Sequence, residues 1–114
     1  MNKISNSIQI GQSKLCLEIG CITTTHADII VNSTSRDLQL NCGSLSKVIL
    51  HAAGNTIQQE AHLMYPNGIK VDQVAMTQAG LLKSVKFIFH TTSPHFVDNA
   101  TCSQVDKYYL LNIK

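Results

Sequence analysis

A chain of 114 residues with 14% charged side chains and a net charge of +2 holds one domain or part of one, around one core at most, and Ser, Thr, Asn and Gln must cover much of its surface. Its lysines are scattered from Lys3 to Lys114 with no basic stripe, and 5% aromatic residues supply no base-stacking platform, so the composition points away from a nucleic-acid partner. No run approaches the roughly 20 apolar residues that cross a bilayer, and Met1 to Ser7 carry no apolar signal core; the expectation is an intracellular protein with no membrane partner.

In chain order, Ile8 and Ile10 suggest a first strand, and Gly11-Gln12-Ser13 a turn. Leu15, Leu17 and Ile19 alternate with Cys16 and Glu18, the period-two pattern of a strand with one face inward, ended by Gly20. Ala27 to Asn32 differ: Ile29, Ile30 and Val31 are consecutive and β-branched, which suits a strand buried on both faces at the centre of a sheet. The period then changes. Leu45, Val48, Ile49, Ala52 and Ala53 form one helical stripe, with Ser44 placed as N-cap and Gly54 as the stop. A shorter helix is expected from Asn55, with Gln58 three residues on as in a capping box and Ile57, Ala61 and Met64 on one face, until Tyr65-Pro66-Asn67-Gly68 breaks it. Val74 to Thr77 and Val85 to His90 read as two further strands, and Thr101 as the cap of a helix carrying Val105, Tyr108 and Tyr109. Strands interleaved with helices imply a layered α/β sheet.

Little in this pattern dictates chemistry. Cys16, Cys21, Cys42 and Cys102 are expected as free thiols, because reducing compartments disfavour disulfides and there is no Cys-x-x-Cys pair. His26, His51, His62, His90 and His95 lack metal-ligand spacing, so no metal or cofactor is expected. A Gly-x-Gly-x-x-Gly turn is absent, which excludes a dinucleotide oxidoreductase of that type. A thiol enzyme pairing Cys21 or Cys42 with His51 or His90 is conceivable, but buried unreactive cysteines are commoner. The most suggestive stretch is Asn41-Cys42-Gly43-Ser44-Leu45. It opens a helix after a strand, where unpartnered amides and the helix dipole can hold an anion, although the same residues equally suit a turn that merely starts a helix.

The segments Gly20-Cys21-Ile22, Ala27 through Ser35, Gly43 through Gly54 and Phe87 through Pro94 together resemble a macro domain, over roughly residues 13 to 96. Leu45-Ser46-Lys47 is most similar to the macro modules of macrodomain-bearing poly(ADP-ribose) polymerases. The resemblance implies an α/β fold of three layers, α/β/α, with a mixed central sheet, incomplete at the C-terminus, the whole of residues 1–114 forming a single partial macro domain. It also implies an ADP-ribose pocket. Cys21 stands where the family has an adenine-contacting aspartate, beside Ile22; Asn32 matches the first asparagine of Val-Asn-Ala-Ala-Asn; Ser35 replaces the second, which faces the distal ribose. Gly43 and the amides of Ser44 and Leu45 match the first diphosphate loop, whereas the family's second phosphate loop has no counterpart. Ser46 occupies the position of the aspartate that assists hydrolysis, so no hydrolase activity is expected and Ser46→Ala should change little.

The implied function is recognition of ADP-ribose or ADP-ribosylated proteins by one module of a longer nuclear or cytoplasmic protein, itself a candidate ADP-ribosyltransferase. A non-binding scaffold and a weak ADP-ribosyl hydrolase are the alternatives. Self-association through an exposed sheet edge is a further expectation.

Overall fold

The computed structural model describes residues 3–93. A hairpin of β1 (Lys3–Ile10) and β2 (Ser13–Ile19) is followed by a short 3-10 turn (Ile22–Thr24), then β3 (Ala27–Ser33), α1 (Ser44–Ala53), α2 (Thr56–Met64), β4 (Ala75–Gln78) and β5 (Val85–Thr91). The expected tail helix from Thr101 lies outside the described residues. β3, β5 and β4 form a mixed sheet in that order, with β3 parallel to β5 and β4 antiparallel to it.

The hairpin has the turn and the alternation expected, with Ile8 opposite Leu15 and Ile10 opposite Ser13. Its apolar face does not point inward. Ile8, Ile10, Leu15, Leu17 and Ile19 are all between 53% and 70% exposed, because the hairpin pairs with neither β3 nor any other described strand. Period two fixes which side chains share a face, not what covers that face.

β3 also departs from expectation. Among the described residues it lies at an edge of its sheet, and β5 is the centre. Ile30 and Asn32 face the core while Ile29 and Val31 are 40% and 56% exposed. The β-branched run therefore has one buried face and one that no described residue covers. Sheet and helices contribute two layers: Ile30, Ala75 and Ile88 meet Ile49 and Ala53 of α1 and Ile57 and Ala61 of α2 in a single core. Burying Ile49 or Ile57, each at most 1% exposed, contributes roughly 1.5–3 kcal/mol.

Helix ends account for two smaller corrections. Gly43, not Ser44, is the N-cap of α1, at φ 88°, and Ser44 is the first helical residue. Asn55 at the start of α2 makes no side-chain cap, and Gln58 bonds elsewhere. Gly54 ends α1 as expected, at φ 92°, its N–H donating to Leu50 O at 2.8 Å. The outer amides of edge strand β4 are occupied: Met76 N–H donates to the Tyr65 hydroxyl at 3.1 Å and Gln78 N–H to the Glu60 carboxylate at 3.2 Å. That edge is closed to a further strand, leaving the outer side of β3 as the unpaired edge of this sheet among the described residues.

Candidate ligand-binding site

Parallel pairing of β3 with β5 sets Ser33 opposite Thr91, so both carboxyl ends lie at one edge of the sheet. Residues 34–43 cross that edge without helix or strand and deliver the chain to α1. The first intrahelical bond runs from Lys47 N–H to Gly43 O at 3.0 Å, which puts the amides of Ser44, Leu45 and Ser46 ahead of it at the positive end of the helix. No acidic residue stands in this first turn. Gly43 is buried with a backbone that L side chains rarely adopt, Ser44 is exposed, and half-buried Leu45 packs on the core.

Asn32 anchors this arrangement from below. Ser46 donates its hydroxyl hydrogen to Leu40 O at 2.8 Å and so accepts from Asn32 Nδ2 at 3.1 Å. The second hydrogen of Nδ2 points to His90 Nδ1 at 3.0 Å, which makes Nδ1 the acceptor and leaves the ring proton on Nε2, donated to Thr77 Oγ1 at 2.9 Å. Asn32, Ser46, Thr77 and His90 are all at most 1% exposed. Burial lowers the His90 pKa from its usual 6.5 to about 4, which keeps the ring neutral and the network intact at pH 7. Asn32 Oδ1 has no hydrogen-bond partner among the described residues.

Ser35 is buried as well, its hydroxyl donating to the Asp37 carboxylate, which also accepts from Gln39 N–H. Cys21 and Ile22 lie on a separate stretch, the 3-10 turn beside α1. They border a cleft of about 520 Å³ whose walls include Leu17, Ile29 and Val31, and none of Asn32, Ser35, Gly43, Ser44 or Leu45 lines it. Cys21 is exposed, and a hydrogen bond with the Thr23 hydroxyl at 3.0 Å holds its thiol below the usual pKa. The seven residues singled out from sequence thus divide three ways. Gly43, Ser44 and Leu45 form the turn, Cys21 and Ile22 border the cleft, and Asn32 and Ser35 are buried.

Cys16 and Cys21 are free thiols as expected, whereas Cys42 is disulfide-bonded. Reading the compartment from composition cannot reveal which sulfurs a fold brings together. Cys102 lies outside the described residues. No group of three His, Cys, Asp or Glu side chains placed to hold a metal occurs among the described residues. The residues that sequence reasoning missed are Thr77 and Gln58, the latter taken for a helix cap, and both make contacts that no local pattern records.

The macro domain profile matches residues 31–112. The Oceanobacillus iheyensis macrodomain with MES bound is similar in structure, with a TM-score of 0.75 and 25% identity over 84% of this chain and 52% of that one. The same macrodomain with ADP gives 0.68 and 26% over 84% and 50%. A variant of it with ADPR gives 0.68 and 25% over 84% and 52%. This chain spans about half the length of these structures. No curated protein matches it. With the profile covering well over half of its length, the chain belongs to the macro domain family.

Proposed function

We propose that this chain is an ADP-ribose-recognition module that does not hydrolyse ADP-ribosyl bonds. The observation that carries the reading is the Gly43 turn, which aims the positive end of α1 across the carboxyl edge of the parallel strands. An open α/β sheet takes its ligands at that edge. Solved relatives carry ADP and ADPR by name, and a diphosphate is the part of those ligands that such a turn suits. Glycine at position 43 lets the anion approach the main chain, and the amides of Ser44 and Leu45 donate to it. The cleft beside Cys21 and Ile22, walled by Leu17, Ile29 and Val31, suits the flat apolar faces of adenine. Asn32 holds the start of α1 from beneath through Ser46, and Ser35 bends the loop through Asp37.

Hydrolysis requires a group that activates water, and Ser46 is fully buried with its hydrogen given to Leu40 O. By resemblance at Leu45-Ser46-Lys47 the module belongs with those of poly(ADP-ribose) polymerases, in a longer protein whose partners are ADP-ribosylated proteins. A scaffold that binds no nucleotide is the second reading, favoured by one observation: Asn32 and Ser35 offer no exposed surface.

The test is a thermal-unfolding scan with ADP-ribose, with AMP as control. Ligand at about 100 times its Kd stabilises by roughly 2.7 kcal/mol, a rise in Tm of several degrees. Gly43→Ala strains the φ 88° backbone and lowers Tm but leaves a ligand-induced rise. Gly43→Glu carries the same strain plus a carboxylate in the diphosphate position and abolishes the rise. A wild-type Tm unmoved by ADP-ribose leaves the scaffold reading standing.

A further inference from the structure

We infer that Gln58, on α2, is a positioning residue for the diphosphate turn, clamping the loop of residues 34–43 in the shape that aims α1 at a ligand. The inference rests on the recognition reading above.

A ten-residue crossing without regular structure must find partners for its buried main-chain groups. Much of this loop's bonding is local: Leu38 N–H to Ser35 O at 3.0 Å, Cys42 N–H to Gln39 O at 3.1 Å, and the Thr34 hydroxyl to Gln39 O at 3.3 Å. Local bonds fix the curvature of a loop but not its place on the sheet. Thr34 N–H is tied to Thr91 O of β5 at 2.9 Å and Arg36 O to Ile69 N–H at 2.8 Å, and for the stretch nearest α1 Gln58, some twenty residues further along the chain, supplies a fixed point. Its Oε1 accepts from Leu40 N–H at 2.8 Å and its Nε2 donates to Leu38 O at 2.8 Å, so one primary amide pairs with the loop as a neighbouring strand would. The remaining Nε2 hydrogen is directed at a ring nitrogen of His62, one helical turn away, at 3.2 Å.

What this clamp holds is strained. Leu38 has φ 58°, the only positive φ outside glycine among the described residues, and it is completely buried. Such a conformation costs an L residue about 1–2 kcal/mol and persists only where the surroundings impose it. Leu40, also completely buried, has its N–H fixed by Gln58 of α2 and its C=O fixed by Ser46 of α1. The peptide just before Asn41-Cys42-Gly43-Ser44 is therefore tied to both helices. Removing one tie lets the entry to α1 move without unfolding the core.

Gln58→Leu keeps the apolar stem and removes both bonds. Gln58→Glu keeps an acceptor for Leu40 N–H but sets a carboxylate without a hydrogen against Leu38 O. Ile57→Val, its neighbour on α2, thins core packing without removing either Gln58 bond and serves as the control for a general loss of stability. In amide hydrogen exchange on the whole chain, both Gln58 variants should speed exchange at residues 38–45 at least tenfold, leaving Ile49 to Ala53 of α1 unchanged. ADP-ribose Kd by calorimetry should rise at least fivefold. Ile57→Val should do neither. Loop exchange no faster than in Ile57→Val, or a loosened loop with an unchanged Kd, overturns the proposal. Absence of ADP-ribose binding by the wild type overturns the recognition reading instead, and the exchange comparison still decides whether Gln58 holds the loop.

Discussion

Ser46 illustrates how a residue's role changes once its neighbours are known. From sequence it is the residue that replaces a catalytic acid, and Ser46→Ala should change little. In the fold its hydroxyl joins Leu40 O to Asn32 Nδ2, fully buried, between the loop and β3. Alanine would leave Leu40 O and one Asn32 hydrogen without partners, and each buried polar group so stranded costs about 1–3 kcal/mol. The expectation is therefore revised: Ser46→Ala should lower stability by about 2 kcal/mol or more in urea titration, with an unchanged m value. A stability within about 0.5 kcal/mol of wild type would show that water or relaxation satisfies both groups.

Elements whose periodicity is long were legible in the sequence. The stripe from Leu45 to Ala53 and the stop at Gly54 define α1 to within one residue, and the alternation in Leu15, Leu17 and Ile19 marks β2 correctly. What stayed hidden is whatever depends on a distant partner. The Ile29-Ile30-Val31 run looks central because apolar residues on two faces suggest two covering layers, yet only the face of Ile30 is covered by described residues. Gln58 matches a capping pattern at Asn55, but its amide reaches the loop around Leu38 and Leu40 instead. Half of the candidate site was visible for the same reason. Gly43 and Ser44 announce themselves by their place before a helix, while the burial of Asn32 and Ser35 follows from packing alone.

The loop has a further attachment at Gly68 and Ile69, where the break after α2 ends. Ile69 N–H donates to Arg36 O at 2.8 Å, and Gly68, at φ 75°, lies so close that an added Cβ would sit 2.1 Å from that same oxygen. Neither partner is a flexible side-chain end, so the backbone itself has to shift. Gly68→Ala should cost at least about 2 kcal/mol, from the backbone conformation and the displaced Arg36 carbonyl together. For a domain of this size that is a fall in Tm of roughly 10 °C, readable by calorimetry. A fall of only a degree or two would mean that the loop can yield at Arg36 without loss.

At the scale of the whole molecule, stability should depend on pH through His90. The ring joins β5 to β3 through Asn32 and to β4 through Thr77, so all three strands of the mixed sheet meet at one imidazole. Protonating Nδ1 would point a hydrogen at the Asn32 amide hydrogens and place a charge in a site with no exposure. The folded pKa of about 4 lies below the unfolded value near 6.5, so the unfolded chain takes up its proton first as pH falls. Stability from this group is fully present above pH 6.5, declines between 6.5 and 4, and is lost below 4, where both states are protonated. The difference of about 2.5 pKa units corresponds to about 3 kcal/mol over that window. Urea midpoints at pH 7.5, 5.5 and 4.5 should therefore fall in that order in the wild type. His90→Gln, whose amide can still pair with Asn32 and Thr77, should start less stable at pH 7.5 and lose less on acidification. A wild-type slope that His90→Gln reproduces in full would assign the acid sensitivity to other groups.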